Sequence, residues 1–259
     1  MNYILKSIKE GQRLDEQTSI DEFSLSNELR FFKHKRRSHV LDVGCGSGVL
    51  CRYLDDTLKE SGVSVSGCDI SDASLGYAKS NSSKNINYFK HDFLKTKTTK
   101  SYDVIFNRYV GHHLSLEKYK LMLENFYNSL LPEGEVYIID MDNLFVNIGS
   151  LSRKLRGDID KISQSFDGNL QMGRYIPSLL NEAGFKDIKY NVDVVDFQGE
   201  SKVMEISQWK QRFNSAILFY VDLFGDEMSA NKFFKAYLSE VAHDYTPLFY
   251  NKFIVRAKK

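Results

Sequence analysis

The residues that most constrain this chain are Val40-Leu41-Asp42-Val43, an apolar run that ends abruptly in Gly44-Cys45-Gly46-Ser47-Gly48 before an apolar, helix-compatible segment from Val49. Buried parallel strands read as short apolar runs, and glycines hold the positive-φ or crowded backbone of a tight strand-to-helix turn. With no Cβ at 44, 46 and 48, a flat ligand can lie against the backbone near the amides of the helix N-terminus. No Lys-Ser/Thr follows the glycines, which disfavours a phosphate-cradling P-loop. Val49 stands where the third glycine of a G-x-G-x-x-G dinucleotide fingerprint would fall. The turn therefore implies an α/β fold with a ligand at the end of its first strand.

Taken in order, residues 3–35 read as helical with an interruption near 19–21. The first strand and glycine turn follow, and a helix from Val49 to Ser61 closes on Gly62. Val63 to Ile70 reads as the second strand, Ile86 to Phe93 as the third, Val104 to Tyr109 as the fourth and Glu135 to Asp142 as the fifth. Ser115 is a good N-cap for a helix over 115–131, whose apolar residues recur at helical spacing. Gly44, Asp69, Asp92 and Asn107 all fall at carboxyl ends of expected strands. Open α/β sheets bind ligands there, so the four imply one site. Residues 145–172 are polar, glycine-containing and poorly periodic, a segment left open between partly helical and mobile. A helix is expected over 173–183, then an alternating strand over 186–197, with 250–258 as its antiparallel partner. Between those strands, Trp209 to Phe224 and Ser229 to Val241 read as two amphipathic helices rich in aromatic residues. They can be core packing or a lid over an apolar pocket.

Leu41 to Gly48 resembles the first motif of the class I S-adenosylmethionine-dependent methyltransferases, in their small-molecule, UbiE-like branch. Gly67-Cys-Asp-Ile-Ser71, His91-Asp92-Phe93, Tyr102 to Leu114 and Leu131-Pro-Glu-Gly-Glu-Val136 resemble the later motifs, in order and correctly spaced. The resemblance implies a Rossmann-like α/β fold: a seven-stranded mixed sheet with helices on both faces and a helical cap insertion. Residues 1–39 would be a helical segment covering the cofactor cleft, 40–199 with 248–259 the core, and 200–247 the cap. It implies S-adenosyl-L-methionine as cofactor and S-adenosyl-L-homocysteine as product. Cofactor-binding positions would be Asp42, Gly44, Cys45, Gly46, Gly48, Asp69, Ile70, Asp92, Phe93, Asn107, Arg108 and Tyr109. Asp69 would accept hydrogen bonds from both ribose hydroxyls, and Asp92 one from the adenine amino group, with Phe93 against the ring. Arg13-Leu14-Asp15-Glu16-Gln17 falls where relatives carry a helix that closes over the cofactor; a solvated helix is the alternative.

Methyl transfer from a sulfonium is an in-line displacement that needs near-attack geometry more than a covalent enzyme group. His112 and His113 are the candidate general bases, since imidazole titrates near neutral pH. His113, Tyr175, Phe213 and Tyr220 are candidates for the acceptor pocket. O-, N- and C-methylation all remain open for a small organic acceptor. Asn107-Arg108-Tyr109-Val110 lacks the prolines of the branch that methylates bases and protein amides. An RNA or protein methyltransferase would show a basic cleft joining Arg36, Arg37 and Lys95 to Lys100. A regulatory protein that binds the cofactor without turnover is the alternative from another class.

A formal charge of +1 over 259 residues gives no reason to expect nucleic acid as partner. No apolar stretch approaches a membrane span, and the first residues lack a signal-peptide core. Three cysteines without a Cys-x-x-Cys argue against a disulfide framework and a zinc site. The expectation is a cytoplasmic enzyme with no metal-ligand residues assigned; metal dependence and oligomeric state are left open.

Overall fold

In a computed structural model that describes residues 8–18, 23–33, 36, 38–144, 146, 148–149 and 152–259, the chain alternates strands and helices. Helices α1 (Ile8–Gln17) and α2 (Leu25–Glu28) precede strand β1 (His39–Val43), helix α3 (Val49–Leu58), strand β2 (Ser64–Asp69), helix α4 (Asp72–Ser80) and strand β3 (Asn87–Lys90). Strand β4 (Tyr102–Arg108), helix α5 (Leu116–Ser129) and strand β5 (Leu130–Asp142) complete the first half. Then come α6 (Arg153–Ser165), α7 (Met172–Glu182), β6 (Lys186–Phe197), α8 (Gly199–Ser215), α9 (Ile217–Phe224), α10 (Glu227–Ala242) and β7 (Leu248–Lys258). The seven strands form one sheet in the order β3-β2-β1-β4-β5-β7-β6. β1 to β5 run parallel, and β7 is antiparallel to both of its neighbours. The strand order reverses between β1 and β4, so a crevice opens at their carboxyl ends.

Period-two alternation divides the core. On β4, Ile105 joins the apolar layer under α5 and α7, whereas Val104 and Phe106 join the layer under α3 and α4. A third cluster joins α6, α8, α9 and α10 to the ends of β5, β6 and β7. Local signals set most boundaries. Ser71, Ser115 and Ser152 accept backbone hydrogen bonds that open α4, α5 and α6, and positive-φ Gly62 and Gly184 close the segments before them.

Two expectations change, and one left open is filled in. The polar segment 145–172, for which a partial helix was one alternative, contains α6, with Leu155, Ile159 and Ile162 buried at helical spacing. Its apolar stripe is narrow enough to be missed among charged residues. The aromatic helix expected over 209–224 breaks at Ala216 (φ −107°, ψ 13°), so the insertion holds three helices. The break lets Phe213 and Tyr220, which sit on different helices, meet at 4.7 Å between ring centroids. α10 opens on Asp226, which accepts from Ser229 N at 2.6 Å, in place of the expected Ser229. In the N-terminal region, residues 3–7 of the expected helical stretch, the whole interruption expected at 19–21, and His34, Lys35 and Arg37 of the basic run lie outside the described residues. Among the described residues no helix is long and apolar enough to cross a membrane.

Candidate functional site

The glycine turn is built by backbone geometry that only glycine adopts cheaply. Gly44 and Gly46 have φ of 73° and 52°, and a Cβ on Gly44 would meet Val110 Cγ2 at 2.5 Å. Around this turn lies a cavity of about 240 Å³. Asp42, Gly44, Cys45 and Gly46 line it from β1 and its turn. Asp69 and Ile70 reach it from the end of β2, Asp92 and Phe93 from beyond β3, and Arg108 and Tyr109 from the end of β4. Asp69 is oriented before any ligand arrives: Gly46 N donates to its Oδ2 at 3.1 Å and Ser71 N to its Oδ1 at 2.8 Å. A carboxylate has about four lone-pair sites, so each oxygen can accept again. Burial raises the Asp69 pKa. Leu94 N fixes Asp92 Oδ1 at 3.0 Å. Asp42 is 2% exposed, and burial pushes its pKa up to about 7, against a hydrogen bond from Cys51 Sγ at 3.5 Å.

Two expected positions lie outside this cavity. Gly48 caps α3 at φ 77°, where a Cβ would meet the Tyr88 hydroxyl at 2.4 Å. Asn107 is 1% exposed and bridges elements: its Nδ2 donates to Val43 O at 3.0 Å, and Tyr119 Oη donates to its Oδ1 at 2.8 Å. Its strand-end position is real, but both polar ends of the side chain are used inside the fold. Arg108 and Tyr109 line the cavity, yet their polar atoms turn to Glu28, a carboxylate only 1% exposed. Arg108 Nε donates to Glu28 Oε2 at 2.6 Å, the Tyr109 hydroxyl donates to Oε1, and Lys252 Nζ reaches Oε1 at 3.3 Å. Glu28 thus fastens α2 to β4 and β7. No periodicity marks it; an acid between Asn27 and Leu29 on a short helix reads as surface.

A second, larger cavity of about 390 Å³ adjoins the first, and Leu14, Tyr109 and His113 line both. Met141, Phe166, Trp209, Phe219 and Tyr220 give it an apolar lining. Arg13 and Gln17 line it from α1, each 6% exposed, with Arg13 Nη1 donating to Gln17 Oε1 at 3.3 Å and Gln208 Oε1 at 3.1 Å. α1 is therefore not a solvated helix on this face. Asp15 holds α1 over the glycine turn through Arg52 at 2.8 Å and the Tyr77 hydroxyl at 3.1 Å. Burial pushes the Tyr220 hydroxyl up to about 12, so it stays neutral. Two expected pocket residues are elsewhere. Phe213, 2% exposed, stacks on Phe234 at 3.7 Å and 6° and belongs to the core. Tyr175 is 38% exposed on α7 and lines neither cavity.

The two histidines differ. Both lie in a short 3-10 turn after β4, with rings 4.0 Å apart. His113 is held neutral, its pKa well below the ordinary value through burial and then the neighbouring His112 and Arg13. His112 Nδ1 lies 2.7 Å from Oδ1 of Asp140, and His112 N donates to Oδ2 at 3.1 Å. Asp140 is fully buried and also accepts from Met141 N at 2.8 Å. With Nδ1 engaged, Nε2 is the ring nitrogen left for chemistry at the larger cavity, which His112 lines. Asp140 was not singled out in the sequence. Its signal is an acid embedded in the apolar run Val136 to Met141, a burial that costs free energy unless a partner offsets it.

Residues 40–134 match the family described as methyltransferase domain. A stretch of 111 residues, 41% of this chain, is 30% identical to the ubiquinone biosynthesis O-methyltransferase of Coxiella burnetii. The match spans 45% of that relative's length. Among solved structures, phosphoethanolamine N-methyltransferase 2 of Haemonchus contortus, in complex with phosphomonomethylethanolamine and S-adenosylhomocysteine, aligns at TM-score 0.60 and 18% identity. It covers 98% of this chain and 58% of its own. Human N-acetylserotonin methyltransferase in complex with SAM aligns at TM-score 0.52 and 22% identity, over 71% of this chain and 51% of its own. Residues 40–134 thus carry a methyltransferase domain, set in this sheet order.

Proposed function

We propose that this protein transfers a methyl group from S-adenosylmethionine to the hydroxyl oxygen of a small, largely apolar acceptor. The observation that carries the reading is the pair of adjoining cavities, one around the glycine turn and one apolar, with Leu14, Tyr109 and His113 common to both. The first suits a nucleoside cofactor. Its backbone is bare where a Cβ on Gly44 would collide with Val110, and Asp69 and Asp92 carry preset carboxylates. The second suits the acceptor, and the O-methyltransferase of ubiquinone biosynthesis among the relatives points to the same small-molecule class.

S-adenosylmethionine, when bound, supplies an electrophilic methyl carbon on a sulfonium sulfur. Asp69 would hold the ribose hydroxyls and Asp92 the adenine amino group. Phe166, Trp209, Phe219 and Tyr220 exclude water and seat the acceptor's apolar body. The Asp140 carboxylate accepts a hydrogen bond from Nδ1–H of His112, which fixes the tautomer with Nε2 as base. Nε2 would accept the proton that the acceptor hydroxyl gives up, and the Asp140 carboxylate would stabilise the resulting imidazolium. His113, kept neutral at the shared wall, adds no positive charge beside a cationic sulfonium.

Calorimetric titration with S-adenosylhomocysteine, followed by a labelled-methyl assay over phenols, alcohols, amines and thiols, tests the reading. Product binding lost by ~2–4 kcal/mol in Asp69→Ala, and label in a hydroxylic acceptor with the intact protein, is expected. No product binding by a folded chain would overturn the cofactor assignment. Label only on amines would overturn the hydroxyl acceptor.

A further inference from the structure

Strand β6 is the outer edge of the sheet, bonded to β7 on one side; among the described residues nothing pairs with its other side. It is long, contains no proline, and one of its faces is apolar and open. Tyr190, Val192 and Val194 are 57%, 46% and 65% exposed, in line with half-buried Ile188. A long apolar edge is a template for another strand, and soluble proteins blunt or cover such edges. The charges on β6 do not blunt it against every partner. They are arranged to suit one.

Residues opposite each other in an antiparallel pair share a face of the sheet. Two copies of β6 related by a two-fold axis therefore pair in a register centred on a single residue. Centred on Asn191, Lys189 of each copy lies opposite Asp193 of the other, Tyr190 opposite Val192, and Ile188 opposite Val194. Every charge in the span 188–194 meets its opposite, and every apolar side chain an apolar one. Neighbouring registers lose this. Centred on Tyr190, Asp187 faces Asp193; centred on Val192, Lys189 faces Val195 and Ile188 faces Asp196; centred on Lys189 or Asp193, a charge faces itself. Asp193 already accepts both Arg30 guanidinium nitrogens, at 2.6 and 2.8 Å, and its carboxylate has lone pairs for a further donor. Towards the strand's start the register with β7 shifts between Lys186 and Lys189, and Asp187 takes φ 49°. This bulge ends regular pairing at Ile188 and so limits slippage.

We propose that the free edge of β6 is the interface between two copies of this chain, paired antiparallel about Asn191 into one continuous sheet. The isologous contact closes both edges at once. It joins the open rows Ile188, Tyr190, Val192 and Val194 of the two copies into a single apolar stripe. Seven residues of strand make a modest interface, so association in the range of about 1–100 μM is expected.

Sedimentation velocity from about 1 to 300 μM reads it. The intact chain should dimerise, and Lys189→Asp should weaken the dimer at least about tenfold, because two attractive cross-strand pairs become repulsive. Asp193→Lys should do the same. An equimolar mixture of the two variants should associate within about threefold of the parent, since each heterologous contact is again Lys against Asp. S-adenosylhomocysteine binding and thermal melting check that both variants are folded. A monomer across the range, a dimer indifferent to Lys189→Asp, or a mixture no tighter than its parts would each overturn the proposal.

Discussion

His112 and Asp140 are joined twice, by the ring at 2.7 Å and by the His112 backbone amide at 3.1 Å, so one buried carboxylate sets both the tautomer of the imidazole and the place of its turn. If Nε2 is the base, His112→Ala should lower turnover by ~10²–10⁴, with S-adenosylhomocysteine affinity unchanged. Asp140→Asn keeps the shape but removes the charge that stabilises the imidazolium, and should lower kcat by ~10–10³. Steady-state kinetics with a responsive acceptor, beside product calorimetry, separate chemistry from binding. Full activity in His112→Ala would end the base assignment.

The same turn depends on a glycine from another element. A Cβ on Gly168 would come 2.1 Å from the carbonyl oxygen of His112, and the next amide, Asn169 N, donates to that oxygen at 2.9 Å. Gly168→Ala must push the histidine turn aside, at a cost of ~1–3 kcal/mol for an overpacked site. Turnover should fall more than melting temperature and product affinity do. Equal losses in all three would show a general packing defect instead of a displaced base.

Why these supports escaped the sequence is a matter of distance along the chain. The glycine turn, the acids at the ends of β2 and β3, and the parallel strands were legible because each signal is local: an apolar run, a positive-φ glycine, a capping serine; the seven-stranded mixed sheet came from the family resemblance. Asn107 shows the limit. Its position at a strand end was read correctly, but its partners Val43 and Tyr119 lie on two other elements. Phe213 shows a second limit, since an aromatic stripe looks the same whether it faces a cavity or Phe234. Glu28 shows a third: three of its donors come from β4 and β7, remote in sequence.

That Glu28 cluster predicts a large and purely structural effect. Glu28→Gln would leave Arg108 and Lys252 buried beside a neutral amide, and breaking a buried ion pair from one side costs ~3–5 kcal/mol. For a chain of this size each kcal/mol lowers Tm by roughly 2–4 °C. A melting scan of the variant checks it, and a shift below a few degrees would mean that α2 is not fastened here.

Asp42 carries a pH signature whose sign is fixed by burial. Its pKa is raised from 3.8 to about 7 in the folded chain. The folded state therefore binds a proton that the unfolded chain has released between those values. Stability from this residue is complete below pH 3.8, falls as pH rises, and is lost above about 7. At 1.36 kcal/mol per unit, the cost of ionising it is at most ~4 kcal/mol. Asp42→Asn should thus stabilise the ligand-free protein by ~2–4 kcal/mol at pH 8, with the gain vanishing towards pH 4. Melting curves at the two pH values decide it. A gain independent of pH would trace to packing, not to the charge.

Phe213 and Phe219 lie six positions apart on either side of the break at Ala216, and they have different duties. Phe213 is enclosed by Phe234 and Tyr220, so Phe213→Ala should cost ~3–5 kcal/mol of stability as a core truncation. Phe219 lines the larger cavity and meets Phe166 edge to face at 6.4 Å. Phe219→Ala should cost less stability and should raise the KM for the acceptor severalfold, leaving S-adenosylhomocysteine affinity unchanged. On an unbroken helix from Trp209 to Phe224, positions 213 and 220, seven apart, would share one face, and 219 would point about 100–120° away from both. A truncation pair read by melting, product titration and acceptor kinetics resolves the two. If Phe219→Ala is as destabilising as Phe213→Ala and leaves KM where it was, α9 is core alone and the acceptor is held by Met141, Phe166 and Trp209 without it.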